Sequence, residues 1–207
     1  MPARSIEGRF DEIVSAYWTL DTVMRVIDDY DGIVVACFGP HPVIDGIREA
    51  TGLPTLGILE ASMLYAMPLG ARFSIVTTSP RWEPLLEEGI RLLGFQSRCA
   101  SVRSARISVL DLERLPPAEV RQRITAEAEL AVTHDGAEAI ILGCAGMAGL
   151  QAAVVNALSV PVIDAIMAGV SQVAALALTQ ARTSKQKLYQ PVMPRPGLDF
   201  PAGLMRI

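Results

Sequence analysis

Short aliphatic runs bounded by turn residues recur along this chain of 207 residues. Such runs, roughly four to eight residues long, are typical of strands buried on both faces, as in a parallel sheet. At residues 72–78 the β-branched content strengthens this interpretation, because branched side chains suit a pleated surface. The pattern predicts strands at residues 33–36, 55–58, 72–78, 98–103, 139–142 and 162–164.

Longer stretches with helical periodicity lie between these runs. They predict helices at about residues 10–29, 41–51, 83–93, 117–134 and 147–158. Gly94 and Pro117 support two of the boundaries, since glycine suits the position just past a helix and proline suits its first turn. Strands that alternate with helices predict an α/β fold of mainly parallel sheets flanked by helices.

Two segments of the chain have the same shape at an offset of 107 positions. The first carries Cys37 and the second Cys144 (144 − 37 = 107), and each cysteine follows an apolar run and precedes x-Gly. Downstream, Pro54 matches Pro161 at the same offset. An internal repeat of this kind predicts two pseudo-symmetric lobes, each of which brings one thiol to a shared site.

The repeat also predicts where the lobes divide. We expect a first lobe of residues 1–67 with part of the C-terminal region, and a second lobe of residues 68–165. The strand–helix unit at residues 72–94 has no counterpart in the first lobe, which we expect to be N-terminally short. The tail at residues 184–207 is rich in proline and has no clear period, so a surface wrap, an arm onto a neighbouring subunit and disorder all remain open.

Composition narrows the class of protein. A hydrophobic content of 51% excludes a disordered chain, and a net charge of −4 without a basic cluster argues against a nucleic-acid or anionic-membrane partner. The most apolar stretch, residues 145–178, is interrupted by polar residues, and the N-terminus lacks an apolar signal segment. The chain has three cysteines, which is an odd number and too few for a disulfide scaffold. We therefore expect a cytoplasmic protein with free thiols.

Cys37 and Cys144 are the candidate functional residues, because ligands of open parallel sheets bind beyond the carboxyl ends of the strands. Backbone N–H groups at the start of the following helix should stabilise a thiolate there and lower its pKa below about 8.5. A lone cysteine is more often a small buried hydrophobic residue. Two cysteines at one repeat position favour function instead, whereas Cys99 has no matching partner and is interpreted as structural.

Other chemistry at the cysteines is less well supported. Neither Cys37 nor Cys144 has a second cysteine or a histidine at ligand spacing, so we expect no metal site. His41 lies between two prolines, and the repeat has no equivalent histidine near Cys144. We interpret His41 as a solvent-facing turn residue, and a Cys–His nucleophile at Cys37 stays a minor alternative.

Proton transfer at opposite faces of one carbon uses both thiols equally. One cysteine, as thiolate, removes a carbon-bound proton, and the other, as thiol, delivers a proton to the far face. The resulting carbanion must delocalise into an adjacent carbonyl, whose oxygen needs hydrogen-bond donors. Backbone amides and the two threonine hydroxyls are candidate donors, although the threonines equally fit a role as strand formers. The candidate substrate-binding residues are Phe38, Gly39, Thr77, Thr78, Ala145 and Gly146.

Several motifs carry a resemblance to a known family. They are Gly-Cys-Ala-Gly-Met at 143–147, Ala-Cys-Phe-Gly at 36–39, Pro-Val-Ile-Asp at 161–164, Ser-Ile-Glu-Gly at 5–8 and Val-Thr-Thr at 76–78. Over nearly its whole length the chain resembles the aspartate/glutamate/hydantoin racemase superfamily, and most closely its hydantoin and allantoin racemase branch. Family members usually begin with a strand that ends in an Asn-Pro-Asn-Thr-like turn, which has no match here and corresponds to the unit missing from the repeat.

The resemblance implies a two-lobed fold and a racemase that needs no cofactor. It also implies that Cys37 and Cys144 are the acid/base pair, that the protein is a homo-oligomer, and that the substrate is a small molecule with an acidic carbon-bound proton, such as a 5-substituted hydantoin or allantoin. Three alternatives stay open at this point. They are a racemase of acidic amino acids, a decarboxylase or isomerase of the same fold, and an N-terminally short homologue that is inactive.

Overall fold

The computed structural model describes residues 5–191, and the statements on structure concern this part of the chain. Its strands are β1 Ile33–Val35, β2 Thr55–Gly57, β3 Phe73–Thr77, β4 Cys99–Ser104, β5 Ala139–Leu142 and β6 Val162–Asp164. Its α-helices are α1 Arg9–Val26, α2 Val43–Thr51, α3 Ile58–Ala66, α4 Trp82–Leu92, α5 Asp111–Arg114, α6 Pro117–Thr133, α7 Gln151–Val155 and α8 Ala165–Leu178. Among residues 5–191, no helix combines the length and the apolar character needed to cross a membrane.

The strands form two sheets in which every pairing is parallel. β1 pairs with β2, and the larger sheet has the order β4-β3-β5-β6. At least one helix connects each strand to the next along the chain, as parallel neighbours require. This arrangement confirms the predicted α/β class with parallel sheets flanked by helices.

The larger sheet is buried on both faces, which explains why its central strands are continuous apolar runs. Ile75 of β3 and Ile141 of β5 face a cluster that α3, α4 and α8 complete. Val76 and Ile140 point to the opposite face, where α6 and α7 cover them. The alternation follows from the two-residue period of a strand, so one sheet organises both main clusters of the core.

The repeat seen in the sequence is also present in the structure. β2 and β6 begin 107 positions apart, and so do the helices α3 and α8 that follow them. α8 packs back onto the smaller sheet, where a Cβ on Gly169 would lie only 2.9 Å from Val34 Cγ1. This packing supports the prediction that part of the C-terminal region completes the first lobe, and the lobe boundaries themselves stay a prediction.

One helix prediction is wrong. The segment at residues 147–158 is not continuous, because a 3₁₀ turn at Ala145–Met147 precedes the short helix α7. Gly149 lies between them with a φ of +81°, a left-handed conformation that interrupts a helix. Its N–H group donates to Asp164 Oδ2 at 2.9 Å, so β6 holds this turn in place.

The first part of the tail lies along α2. Lys185 Nζ donates to the carbonyl oxygens of Arg48 and Glu49 at 2.7 and 2.8 Å, close to the C-terminal end of that helix. A cation is favourable at this end because the last carbonyl groups lack intrahelical partners. Tyr189 donates to Asp45 at 3.0 Å. Residues 184–191 thus match the surface-wrap alternative, and residues 192–207 lie outside the described residues.

Gly143 connects β5 to the turn that carries Cys144, and it has no space for a side chain. A Cβ there would lie 2.7 Å from Ile75 Cγ2 and 3.1 Å from the carbonyl oxygen of Val76. The same carbonyl accepts a hydrogen bond from the Gly143 N–H at 2.8 Å, so the backbones of β3 and this turn are in direct contact.

We therefore expect Gly143→Ala to lower the free energy of unfolding by about 1–3 kcal/mol, because a backbone carbonyl cannot move aside as a flexible side chain can. Gly46→Ala is the matched control. It lies within α2 with its nearest neighbour, Leu20 Cδ2, at 3.7 Å, and it should raise stability by about 0.5–1 kcal/mol. Urea unfolding of the two variants checks this, and equal effects would contradict the proposed crowding at Gly143.

Candidate active site

The two repeat cysteines lie at equivalent ends of two strands. Cys37 follows the last residue of β1 by two positions, and Cys144 follows the last residue of β5 by two positions. A tight turn comes directly after each cysteine. The Gly39 N–H donates to the Cys37 carbonyl at 3.1 Å, and the Met147 N–H donates to the Cys144 carbonyl at 3.0 Å. Each thiol is therefore held by a hydrogen-bonded turn that begins at the carboxyl end of a buried strand.

A single cavity of about 150 Å³ contains both thiols. Its lining consists of Ile6, Ala36, Cys37, Phe38, Thr77, Thr78, Trp82, Val109, Gly143, Cys144, Ala145 and Gly146. Among residues 5–191, no charged side chain lines it. An engineered protein cavity of about this volume binds benzene, so the space suits a ligand with one small ring.

Every candidate residue named from the sequence lines this cavity except Gly39. Gly39 lies behind the wall, where a Cβ would be 2.8 Å from Glu12 Oε1 and 3.1 Å from the Trp82 ring. Its N–H group is already bonded to the Cys37 carbonyl. Gly39 therefore does not line this cavity, and its expected substrate contact stays a prediction without support from the geometry. Glycine is needed there because a helix and an aromatic ring pack closely against the turn.

Five residues of the cavity wall were not named as candidate site residues from the sequence, and two of them, Ala36 and Gly143, directly precede the two cysteines. Ile6 belongs to the Ser-Ile-Glu-Gly motif, so the family resemblance did contain a signal for it. Trp82 is the first residue of α4, the helix that follows β3, and a search of the turns after predicted strands would have found it. Val109 lies in the loop before α5, where no periodic pattern distinguishes it.

The two threonines differ in what their hydroxyl groups can do. Both side chains are buried at the end of β3. Thr77 Oγ1 donates to the Gly143 carbonyl at 3.2 Å, so its proton already links β3 to the turn that carries Cys144. Of the two hydroxyl groups proposed as donors to a substrate oxygen, the one on Thr78 is therefore the better candidate.

Burial raises the pKa of both thiols, so the predicted lowering is wrong. The pKa of Cys37 rises to about 12, first because of burial and then because of negative charge at Glu12 and Cys144. Burial also raises the pKa of Cys144, although N–H groups of Gly146 and Met147 lower it in part. The expected amide donors are thus present at Cys144 but do not outweigh the loss of water. Because the charge of one thiol acts on the other, the two titrate as a coupled pair.

His41 is buried rather than solvent-facing, which corrects the interpretation from the sequence. Its Nδ1 accepts the N–H of Val43 at 3.3 Å, at the first residue of α2. The proton therefore lies on Nε2, which is 2.9 Å from Ser15 Oγ of α1. Both ring nitrogens are occupied in joining α1 to the start of α2, so His41 cannot act as the base of a Cys37 nucleophile. Burial lowers the pKa of this imidazole.

Cys99 lies apart from the cavity, at the start of β4. Its Sγ donates to the carbonyl of Ser101 at 3.5 Å, and burial raises its pKa to about 11. All three cysteines are free thiols. Within the described range, no group of three or more His, Cys, Asp or Glu side chains is arranged to hold a metal ion.

Known proteins are similar to this chain in sequence and in fold. A family model described as Asp/Glu/hydantoin racemase matches residues 2–173. Hydantoin racemase from Pseudomonas sp. (strain NS671) is 38% identical over 191 residues, which are 92% of this chain and 76% of that protein. The crystal structure of allantoin racemase from Pseudomonas fluorescens superposes with a TM-score of 0.91 at 36% identity, covering 96% of this chain and 84% of that one. Allantoin racemase from Klebsiella pneumoniae gives a TM-score of 0.89 at 35% identity, covering 94% and 79%.

The burial of His41 makes stability depend on pH in a definite direction. The pKa of His41 is lower in the folded state than its ordinary value of 6.5, so below about that pH the unfolded chain binds more protons than the folded one. We expect the free energy of unfolding to fall as the pH drops below 6.5, and His41→Gln to weaken this dependence. Urea unfolding between about pH 5.5 and 7.5 measures it.

His134→Gln is the matched control, because His134 is the other histidine of the chain and its side chain is exposed at the end of α6. This variant should keep the pH dependence of the wild type. The burial argument fails if His41→Gln and the wild type lose the same stability over this range.

Proposed function

Since this chain belongs to the Asp/Glu/hydantoin racemase family, we propose that it inverts a carbon-bound stereocentre by proton transfer with Cys37 and Cys144. Membership of the family makes the protein an isomerase of the racemase class. The observation that carries the proposal is that thiols from equivalent positions of the repeat line one cavity of about 150 Å³. The proposed reaction requires no cofactor.

In the proposed mechanism, one thiol acts as base and the other as acid. The ionised thiol removes the proton from the stereocentre, and the electron pair of the broken C–H bond passes into the adjacent carbonyl group. The second thiol then gives its proton to the opposite face of the same carbon. The raised pKa values of both thiols keep the acid partner protonated, and they make the thiolate, once formed, a strong base towards a weak carbon acid beside a carbonyl.

Hydrogen-bond donors near the two thiols would stabilise the developing oxyanion. The Thr78 hydroxyl and the backbone N–H groups of Phe38 and Ala145 are the candidates that line the cavity. Gly39 is left out because its N–H donates to the Cys37 carbonyl. The Gly146 N–H acts on the Cys144 sulfur, so its role is to stabilise the thiolate rather than the substrate oxygen.

The proposed substrate is a 5-substituted hydantoin or allantoin. A small neutral ring fits the volume of the cavity. The relatives described above are named hydantoin racemase and allantoin racemase. An acidic amino acid is the weaker candidate, because its carboxylates would enter a cavity whose described walls carry no charged side chain. A decarboxylase that depends on one cysteine does not account for the second thiol in the same cavity.

We also propose that the protein is a cytoplasmic homo-oligomer. Phe10, Ile13 and Trp18 form an exposed apolar face on α1, with 74%, 67% and 48% of their surface accessible. Apolar faces of this kind usually mark a contact with another protein, and a second copy of this chain would cover it. Three free thiols fit a reducing compartment.

Cys37→Ser and Cys144→Ser should each lower kcat for racemisation by about 10²–10⁴-fold, because each variant lacks one of the two proton-transfer groups. Circular dichroism of single enantiomers of 5-methylhydantoin and allantoin measures the loss, corrected for the spontaneous rate. In deuterium oxide, the wild type should incorporate one deuterium at the stereocentre per inversion. Full activity in either variant would rule out the two-base mechanism.

Cys99→Ser is the matched control, since it removes a thiol outside the cavity and should leave kcat unchanged. Turnover of an arylmalonate with only one essential cysteine would favour the decarboxylase instead. Racemisation of glutamate or aspartate, but of no ring substrate, would favour the amino-acid racemase.

Light scattering coupled to size exclusion should give a mass of at least two chains for the wild type. Ile13→Glu puts a charge on the exposed face of α1 and should shift the protein towards the monomer, whereas Leu92→Glu, at a single exposed leucine of α4, should not. A monomeric wild type would contradict the proposed oligomer.

A further inference from the structure

A buried carboxyl group without hydrogen bonds lies in the first turn of α1. The side chain of Glu12 is 1% exposed, and within the described residues neither of its carboxyl oxygens has a hydrogen-bond partner. Arg9 Nη1 lies 3.6 Å from Glu12 Oε2, but the same guanidinium group also pairs with Glu88. Burying a carboxylate without donors is unfavourable, so its presence here needs a reason beyond stability.

The Glu12 carboxyl lies directly against the turn that carries Cys37. Its Oε1 is 2.8 Å from the position that a Cβ on Gly39 would occupy, and Gly39 is bonded through its N–H to the Cys37 carbonyl. One turn further along α1, Ser15 Oγ donates to the Glu12 carbonyl at 3.0 Å and lies 2.9 Å from His41 Nε2. α1 and the Cys37 turn are thus in contact at Gly39 and linked through Ser15 and His41, which fixes the Glu12 carboxyl relative to this turn.

The surroundings of the two thiols are electrostatically unequal. At Cys37, burial, Glu12 and the second thiol all raise the pKa. At Cys144, burial and the charge of Glu7 raise the pKa, but backbone N–H groups of Gly146 and Met147 lower it, and among residues 5–191 no such donor lowers the pKa of Cys37. Burial also raises the pKa of Glu12 itself, with Arg9 acting to lower it and Glu88 to raise it. Glu12 and Cys37 therefore resist carrying two negative charges at once, and Arg9 offsets part of the charge on Glu12.

We propose that Glu12 is a positioning residue that keeps Cys37 in the thiol form, so that Cys144 is the first of the two thiols to ionise. This inference rests on the proposed function for its role in catalysis. With Cys144 as thiolate, the proton of the substrate C–H bond passes to Cys144, and the S–H proton of Cys37 passes to the opposite face of the carbon. The product form then has a Cys37 thiolate beside Glu12 and a Cys144 thiol. The repulsion at Cys37 favours uptake of a proton from solvent there while Cys144 loses its proton to solvent, which restores the starting form.

Alkylation by iodoacetamide tests the order of ionisation without any substrate, because the thiolate is the reactive form. In the wild type, mass spectrometry of the cysteine peptides should show alkylation of Cys144 at a lower pH than that of Cys37. Glu12→Gln keeps the shape of the side chain and removes its charge. It should increase the rate at Cys37 about three- to fourfold for each unit by which the pKa falls, because the thiolate fraction rises tenfold but a less basic thiolate is a weaker nucleophile, with a much smaller change at Cys144.

Glu87→Gln is the matched control. Glu87 is also a carboxylate near a cysteine, but its charge acts on Cys99, so this variant should change the reactivity of Cys99 and leave that of Cys37 unchanged. A kinetic readout completes the test. In Glu12→Gln, the pH profile of kcat should move to lower pH for the direction in which Cys37 is the base and remain in place for the other direction, whereas kcat/KM must stay equal in both directions because the equilibrium constant of a racemisation is one.

The inference is overturned if Cys37 is alkylated before Cys144 in the wild type, or if Glu12→Gln leaves the reactivity of Cys37 unchanged. The order in which Cys37 and Cys144 are alkylated in the wild type tests the inference even if the Glu12→Gln variant does not fold. Failure here is distinct from failure of the proposed function, since racemisation that depends on both cysteines can be observed whichever thiol ionises first. Conversely, the expected alkylation order without any racemisation would disprove the function alone.

Discussion

Parallel pairing of short buried strands is the constraint on which the site depends. Because neighbouring strands run in the same direction, their carboxyl ends meet at one edge, and the turns after β1, β3 and β5 open into a common cavity. The repeat brings one thiol to this edge from each sheet. The Cys144 turn can shift little relative to β3, because Gly143 at the start of the turn packs directly against the β3 backbone and has no space for a side chain.

Burial determines the acidity of the two thiols in the site. Removal of water raises the pKa of both thiols, so the resting protein holds weak acids rather than reactive thiolates. In the proposed reaction, the thiolate that removes the substrate proton would therefore be strongly basic. The apolar wall fits the same proposal, because it would favour a neutral ring and exclude water from the carbanion.

Much of the fold followed from the apolar runs alone. The bounds of β5 and β6 agree with their predicted ranges because these strands are buried on both faces, where the two-residue period and the turn residues leave little ambiguity. Contacts between distant segments could not be inferred in this way. The burial of His41, the packing of Gly39 on Glu12 and the raised thiol pKa values all arise where α1 folds over the Cys37 turn, and no local pattern encodes that contact.

The two sheets differ in size, and this has a consequence for how the site moves. In the described part of the chain, Cys37 follows a strand of three residues in a two-stranded sheet, whereas Cys144 follows a central strand of a four-stranded one. Small sheets have few cooperative hydrogen bonds and open at a lower local free energy than the interior of a large sheet. We therefore expect the Cys144 turn to be the more rigid side of the cavity and the Cys37 turn, which packs against α1 and Trp82, to be the side that moves when a ligand enters or leaves.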